Sequence, residues 1–296
     1  MSGDSKTGVL CMAYGSPATE DDIEAYYTHI RGGREPSAEA LEELKGRYRA
    51  IGGSPLTAIT REQAAALSEM VGMPTFVGMK HASPFIADGA EEAARAGIQR
   101  LVGLPLAPHF AAMSLGAYER TLSSAWQGEL VFVRGFHDHP AFIRAVARLI
   151  EERLAESRPE RLFFTAHSLP ARIVDEGDGY RDRLLESCRL VQAATELPDW
   201  EFAFQSASTT GEPWLGPDLL TAIERSGARD VLVCAIGFVA DHLEILYDLD
   251  VEAQEFARAH GIRIRRTASF NARPELIGAL AEIVQDAVAA RPAQGR

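Results

Sequence analysis

Cysteine is scarce in this chain: Cys11, Cys188 and Cys234 are the only three in 296 residues, widely separated and odd in number. That spacing speaks against a disulfide framework, a zinc site or an iron–sulfur cluster. Cys11 and Cys234 sit inside apolar runs, where a buried, reduced thiol is expected. Long apolar runs are missing as well, since none approaches the roughly 20 residues needed to span a bilayer. The polar opening Met1-Ser-Gly-Asp-Ser-Lys6 leads straight into a strand, so no signal peptide is expected and the cytoplasm is the expected location. Positive charge is in deficit, with 30 Lys and Arg against 42 Asp and Glu and a net charge of −12. This balance argues against a nucleic-acid footprint and favours encounter with cations. An anionic substrate would have to find its basic groups locally. The nucleotide-binding patterns Gly-x-Gly-x-x-Gly and the P-loop lysine are absent. Thr165-Ala-His-Ser168 lacks the flanking glycines of a nucleophile elbow, so Ser168 is a poor hydrolase nucleophile.

What is present is an alternation of short apolar runs with longer helical patterns. Strands are expected near Gly8–Ala13, Thr75–Met79, Leu101–Leu106, Leu130–Arg134, Leu162–Ala166, Glu201–Phe204, Val231–Ile236 and Ile262–Arg266. Helices are expected at about Thr19–Ile30, Ala38–Ile51, Thr60–Val71, Ala87–Ala96, Leu115–Ala125, Pro140–Glu156, Tyr180–Thr195, Pro217–Arg225, Leu243–His260 and Pro274–Ala289. The order points to α/β architecture, with right-handed βαβ units and parallel sheets covered on both faces. The length suits two domains of about 150 residues. The division falls as 1–140 and 141–296, each with four strands, and helix 274–289 is expected to return to the first domain.

The stretch Val231–Glu252 organises the rest. An apolar strand ends at Gly237, Asp241 is placed to cap a following helix, and Glu244, Asp248 and Glu252 recur every four residues along it. On a regular helix such positions drift by only about 40° per step, giving one acidic stripe. That stripe also suits a solvated helix face, and Asp241-x-x-Glu244 also matches a capping box. Ligands of open α/β sheets bind outside the carboxyl ends of the strands. Those ends carry Tyr14, Lys80-His81, His109, His167, Gln205-Ser206 and Asp241-His242 with Glu244. A faint echo links Ala13-Tyr-Gly-Ser-Pro17 with Ala166-His-Ser-Leu-Pro170. A cleft between two such domains is the expected site.

Several of these stretches together resemble the ferrochelatase family. In the second half they are Thr165-Ala-His-Ser-Leu-Pro170, Phe204-Gln-Ser206 followed by Trp214-Leu-Gly-Pro217, and Gly237-Phe-Val-Ala-Asp-His-Leu-Glu-Ile-Leu-Tyr-Asp248. The first half adds Met12-Ala-Tyr-Gly-Ser-Pro17, Tyr26-Tyr-Thr-His-Ile-Arg31, Gly52-Gly-Ser-Pro-Leu56, Met79-Lys-His-Ala-Ser-Pro-Phe85 and Leu106-Ala-Pro-His-Phe110. Tyr14 and the Tyr-Tyr-Thr-His-Ile-Arg segment look like the coproporphyrin branch of the family, whose protoporphyrin members usually carry membrane- or cluster-binding extensions. The resemblance implies two Rossmann-like, chelatase-type domains, each a four-stranded parallel sheet flanked by helices, with the porphyrin in the cleft between them.

The implied reaction is insertion of Fe²⁺ into coproporphyrin III, making the protein a lyase of haem biosynthesis. Metal insertion removes two pyrrole protons and strips water from the metal, and imidazole and carboxylate groups can do both kinds of work. By resemblance, His167 and Glu244 are the catalytic pair and hold iron or protons, while Asp248 and Glu252 form a hydrated outer path for the cation. Tyr14 matches the tyrosine that ligates the product iron. Arg31, Arg47, Tyr48, Ser54 and Tyr118 match positions that contact the substrate, with Lys80, His81 and Ser206 along the same walls. Four propionates ask for such donors, Arg above all. Three local departures stand out: Gly32-Gly33 after Arg31, where relatives often have a second basic residue, a shorter Gly52-Gly53-Ser54-Pro55 loop, and Gly179 where the family commonly has Pro. No tightly bound cofactor is implied, and Fe²⁺ is substrate. Coproporphyrin III and Fe²⁺ are the expected partners of a monomer, with transient contacts to other haem-pathway enzymes. The competing readings are a protoporphyrin ferrochelatase or other tetrapyrrole metal chelatase, and a haem-binding delivery protein without insertion activity.

Overall fold

The computed structural model describes residues 6–208 and 211–290. The N-terminal residues 1–5, on which the absence of a signal peptide was argued, lie outside them. In the first half, β1 (Thr7–Ala13), α1 (Ile23–Ile30), α2 (Ala38–Ala50), α3 (Leu56–Val71), β2 (Thr75–Met79), α4 (Ile86–Arg95), β3 (Arg100–Pro105), α5 (Leu115–Ala125) and β4 (Glu129–Phe132) follow one another. Helix α6 (Pro140–Glu156) leads into β5 (Arg161–His167), α7 (Arg172–Asp175), α8 (Tyr180–Ala194), β6 (Trp200–Gln205), α9 (Leu219–Ser226) and β7 (Asp230–Cys234). After it come α10 (Leu243–Leu246), α11 (Ala253–His260), β8 (Arg263–Arg266) and α12 (Pro274–Ala289).

Two four-stranded sheets result, ordered β2-β1-β3-β4 and β6-β5-β7-β8. Every pairing is parallel. The apolar runs in β1, β5 and β7 explain why these strands are central, since each is covered on both faces and buried along most of its length. The two orders are the same. In each sheet the chain steps to one side of its first strand and then crosses to the other, which places a switch point at the carboxyl ends of β1 and β3, and again of β5 and β7. The faint echo between Tyr14 and His167 thus marks equivalent places in two equivalent sheets.

One apolar core joins the halves. Val9 and Leu104 of the first sheet, Phe142 of α6, Phe164 of β5 and Leu280 of α12 belong to a single buried cluster. Helix α12 packs against α3 and α6. It is also tied to the first sheet, because Arg100 Nη1 donates to the Val288 carbonyl at 3.1 Å. Gln63 Nε2 on α3 donates to the Asn271 carbonyl just before α12 at 2.8 Å.

The expected long helix 243–260 is not one regular helix. Residues Asp248–Glu252 form a wider π-type turn between α10 and α11, in which Glu252 N donates to the Tyr247 carbonyl at 2.9 Å. The capping box read at Asp241 is not formed either. The N-cap is His242 without a side-chain cap bond. The Asp241 carboxylate instead accepts from Ser269 Oγ at 2.6 Å and Asn271 Nδ2 at 2.8 Å, in the connection between β8 and α12. Tertiary partners have outbid the local pattern, as they do when a carboxylate finds buried donors. Helix α7 carries no expected counterpart, and the helix expected from Pro217 starts at Leu219 because Asp218 caps it, accepting from Thr221 N at 3.1 Å.

Candidate active site

Tyr14 follows β1, at the switch point of the first sheet. The turn after it needs Gly15, whose φ is +88° and whose absent Cβ would lie 2.9 Å from that of Ala82. Tyr14 is 41% exposed, and its ring packs against His81 at 4.5 Å between ring centres. The Lys80 ammonium lies 5.8 Å from the Tyr14 ring centre and 5.7 Å from that of Tyr118.

His167 is the last residue of β5, the first strand of the second sheet in chain order. Its carbonyl accepts from the Tyr180 hydroxyl at 3.0 Å, and its Nδ1 lies against the Ser168 carbonyl, which leaves Nε2 facing the cleft. Glu244 comes from α10, after β7. The connection from β7 passes so close to β5 that a Cβ on Gly237 would sit 2.5 Å from that of Ala166. Only glycine fits there, and Gly237 N donates to the Thr165 carbonyl at 3.1 Å.

These constraints bring Glu244 Oε1 to 3.3 Å from His167 Nε2, while His242 Nε2 lies 3.5 Å from Glu244 Oε2. His242 Nδ1 is matched to the Ala240 carbonyl at 2.9 Å, so its Nε2 is the free end turned toward Glu244. One carboxylate therefore stands between two imidazoles. Burial works against charge on both partners, but the attraction and hydrogen bond between them win. His167 is pushed up to about 9, and Glu244 is held well below the usual carboxylate range by His167 and then His242. At neutral pH the pair is an imidazolium and a carboxylate.

A divalent first-row metal bonds imidazole nitrogen and carboxylate oxygen at about 2.1 Å, so two such donors on one ion stand roughly 3.0–3.4 Å apart at angles of 90–109°. The observed 3.3 Å matches that bite. Among the described residues no group of three or more His, Cys, Asp or Glu side chains is arranged to hold a metal. A two-donor site of this kind leaves most of an ion's coordination to water or to another ligand.

Asp248 is 8% exposed and accepts from Ser206 Oγ, whose residue holds an uncommon φ of +62°. Burial pushes the Asp248 carboxyl up to about 7; Ser206 and Arg47 oppose the rise, and the charges of Glu244 and Glu252 add to it. Glu252 is exposed. The acidic stripe thus runs from the half-buried Glu244 through a buried Asp248 to the surface.

Arg47 reaches this stripe from the first half: its guanidinium lies 5.1 Å from the Tyr247 ring centre and pairs with Glu43 at 2.8 Å. Tyr48 is 6% exposed and hydrogen-bonded to Tyr26, whose hydroxyl donates to the Gly15 carbonyl at 3.1 Å. Tyr118 is equally buried at 6%. Ser54 Oγ accepts from Leu56 N at 3.4 Å at the start of α3. Arg31 closes α1, and its Nε donates to the Arg34 carbonyl at 3.3 Å while Arg34 Nε returns a bond of 3.3 Å to the Arg31 carbonyl. No ion pair forms at either among the described residues, so both guanidinium edges remain open to an outside carboxylate.

Burial, with Lys80 and His29 nearby, lowers His81 to about 3, and its Nδ1 meets His29 Nδ1 at 2.9 Å. Burial followed by the charge of Glu244 raises the Tyr14 phenol well above its ordinary value. Leu243, the neighbour of Glu244, packs against Ile23, Tyr26 and Tyr48 of the first half, which brings the two switch points to one site. Sequence reasoning passed over His29, Thr165 and Tyr180, and it noted His242 and Gln205 without giving them a role. The signal for these two was their place at strand carboxyl ends, with His242 inside Asp-His-Leu-Glu and Gln205 beside Ser206.

Comparison with known proteins places this geometry. The family profile described as Ferrochelatase matches residues 6–288. A protein of Herpetosiphon aurantiacus named Ferrochelatase is 38% identical over 300 residues, covering 95% of this chain and 98% of that one. Coproporphyrin III ferrochelatase 2 of Bacillus cereus is 40% identical over 302 residues, covering 96% and 95%. Among solved structures, SirB from Bacillus subtilis with Fe³⁺ superposes with a TM-score of 0.61 at 12% identity, covering 96% of each chain. CbiX, titled the terminal enzyme for biosynthesis of siroheme in denitrifying bacteria, gives 0.59 at 12%, covering 96% of this chain and all of that one. At such identity the structural likeness is one of fold.

Proposed function

The chain belongs to the ferrochelatase family, and from that premise we propose that it inserts Fe²⁺ into coproporphyrin III in haem biosynthesis. It is a lyase, a porphyrin metal chelatase. The observation that carries the reading is the 3.3 Å approach of His167 Nε2 to Glu244 Oε1 at the second switch point, with Tyr14 at the first.

The residues divide the work. Asp248 and Glu252 attract the hydrated cation, and Glu244 and His167 take it from water. Binding releases the proton that His167 holds, because a metal needs the neutral imidazole. Insertion then frees two pyrrole protons. The vacated His167–Glu244 pair takes one, and the other leaves past Asp248, whose carboxyl exchanges protons near neutrality. The proton taken by the pair restores the resting imidazolium, so the two that reach solvent are the one His167 released on metal binding and the one that leaves past Asp248, and together they balance the incoming Fe²⁺.

On the opposite ring face, Tyr14 would supply a ligand to the product iron, its phenolic proton passing to solvent. Arg31 holds propionate through paired hydrogen bonds. Ser54, Lys80, His81, Tyr48 and Tyr118 line the wall around Tyr14, Arg47 sits where that wall meets the acidic stripe, and Ser206 fixes Asp248.

Iron enters as substrate and no resident cofactor or cluster is needed. The cytoplasm, which keeps thiols reduced and iron ferrous, is the compartment that suits this chemistry. No helix of the described residues is long and apolar enough to cross a membrane. We read the chain as a monomer of two domains divided near residue 140, with transient contacts to other haem-pathway enzymes.

The test is His167→Ala. It should abolish Fe²⁺ insertion while coproporphyrin still quenches the protein's fluorescence on binding, because the imidazole acts on metal and protons. Turnover close to that of the unaltered protein would overturn the assignment.

A further inference from the structure

Helix α10 is a single turn of four residues, too short to hold its own geometry, yet it carries Glu244. Something outside must fix it. The side chain of Gln205, 3% exposed at the end of β6, does so. Its Nε2 donates to the Glu244 main-chain carbonyl at 2.7 Å. Its Oε1 accepts from the hydroxyl of Thr165, fully buried on β5, at 2.8 Å. The Glu244 carbonyl, which can only accept, decides which way round the amide lies, and the Thr165 hydroxyl donates to the amide oxygen that this leaves. The Gln205 main chain closes the circuit: it pairs directly with His167 across the two strands, and its carbonyl accepts from Ser168 N at 2.8 Å.

We propose that Gln205, held in place by Thr165, is a positioning residue that locks Glu244 to His167 and so sets the bite of the metal-transfer pair. This rests on the reading of that pair given above. Gln205 touches no reacting atom in the arrangement described; it joins the strand that carries one donor to the turn that carries the other. A buried, fully paired amide is stiff, because swinging it away strands a carbonyl, a hydroxyl and its own two ends.

The experiment compares Gln205→Met, which keeps side-chain length and removes the amide, with Thr165→Val and Thr165→Ser. Steady-state Fe²⁺ insertion into coproporphyrin III, porphyrin Kd by fluorescence quenching and the crystal structure of Gln205→Met are measured. A displacement of about 1 Å at a reacting group costs on the order of 100-fold in rate, so Gln205→Met should lose at least about tenfold in kcat with porphyrin Kd changed less than about twofold. Thr165→Val should lose part of this and Thr165→Ser should regain it. In the crystal structure Glu244 should have left His167. Unchanged kcat in both Gln205→Met and Thr165→Val overturns the proposal, as does a loss of porphyrin affinity matching the loss of kcat, or a crystal structure that keeps the 3.3 Å approach. Should Gln205→Met not fold, the Thr165→Val and Thr165→Ser pair decides alone. Should the unaltered protein insert no iron into coproporphyrin, the functional reading fails, and the crystal structure still decides the positioning claim.

Discussion

His167 at the carboxyl end of β5 and Glu244 on α10, far apart in the chain, meet with Nε2 and Oε1 3.3 Å apart. The contact makes a proton and a metal ion competitors for one place. His167 is raised to about 9, so between pH 7 and 9 it is mostly imidazolium and must lose that proton to bind iron. The rate at limiting Fe²⁺ should therefore rise with pH from 7 and level off above about 9. The check is an anaerobic pH profile of kcat/KM for iron, with the binding of coproporphyrin followed separately. A profile that falls over this range would contradict the assignment of the proton.

Asp248 should show a dependence of its own. Burial lifts its carboxyl to about 7, so it carries charge above that pH and little below. Asp248→Asn should raise KM for Fe²⁺ by about tenfold at pH 8, where a full charge is removed, and by much less at pH 6. Porphyrin KM should be unmoved at both. Equal effects at the two pH values would show that its charge plays no part in attracting the cation.

Tyr14→Phe should alter the absorption of the iron–product complex more than it lowers turnover, because the phenol meets the product iron and not the entering metal. The ring itself, packed 4.5 Å from His81, is retained in this variant. Absorption spectra of the purified complexes decide it. An unchanged spectrum removes Tyr14 as ligand.

Much of this site was legible in the sequence. The apolar runs of β1, β5 and β7 marked the central strands, and the rule that ligands gather at strand carboxyl ends pointed to Tyr14, His167 and Glu244 before any contact was known. What pattern reading missed had a common cause. Asp241-x-x-Glu244 satisfies a capping box, but Ser269 and Asn271, distant in sequence, took the carboxylate. The every-fourth spacing of Glu244, Asp248 and Glu252 fits a regular helix as well as it fits the wider turn found here, so spacing alone does not tell the two apart, nor that Asp248 is buried while Glu252 is exposed. Arg47 pairs with Glu43 one turn away on its own helix, but its packing on Tyr247 depends on how the two halves meet and is not written in any local pattern. The amide bridge of Gln205 joins β5, β6 and α10, a relation that no local window contains.

The central claim is that four propionates are read by the open guanidinium edges near the first switch point while iron passes through the pair at the second. Anaerobic Fe²⁺ insertion into coproporphyrin III and protoporphyrin IX, measured side by side by absorbance, tests it most directly. The account predicts a kcat/KM for coproporphyrin at least about tenfold higher, a difference of about 1.4 kcal/mol in transition-state binding that one charge-assisted hydrogen bond can supply. Equal or faster insertion into protoporphyrin would contradict it.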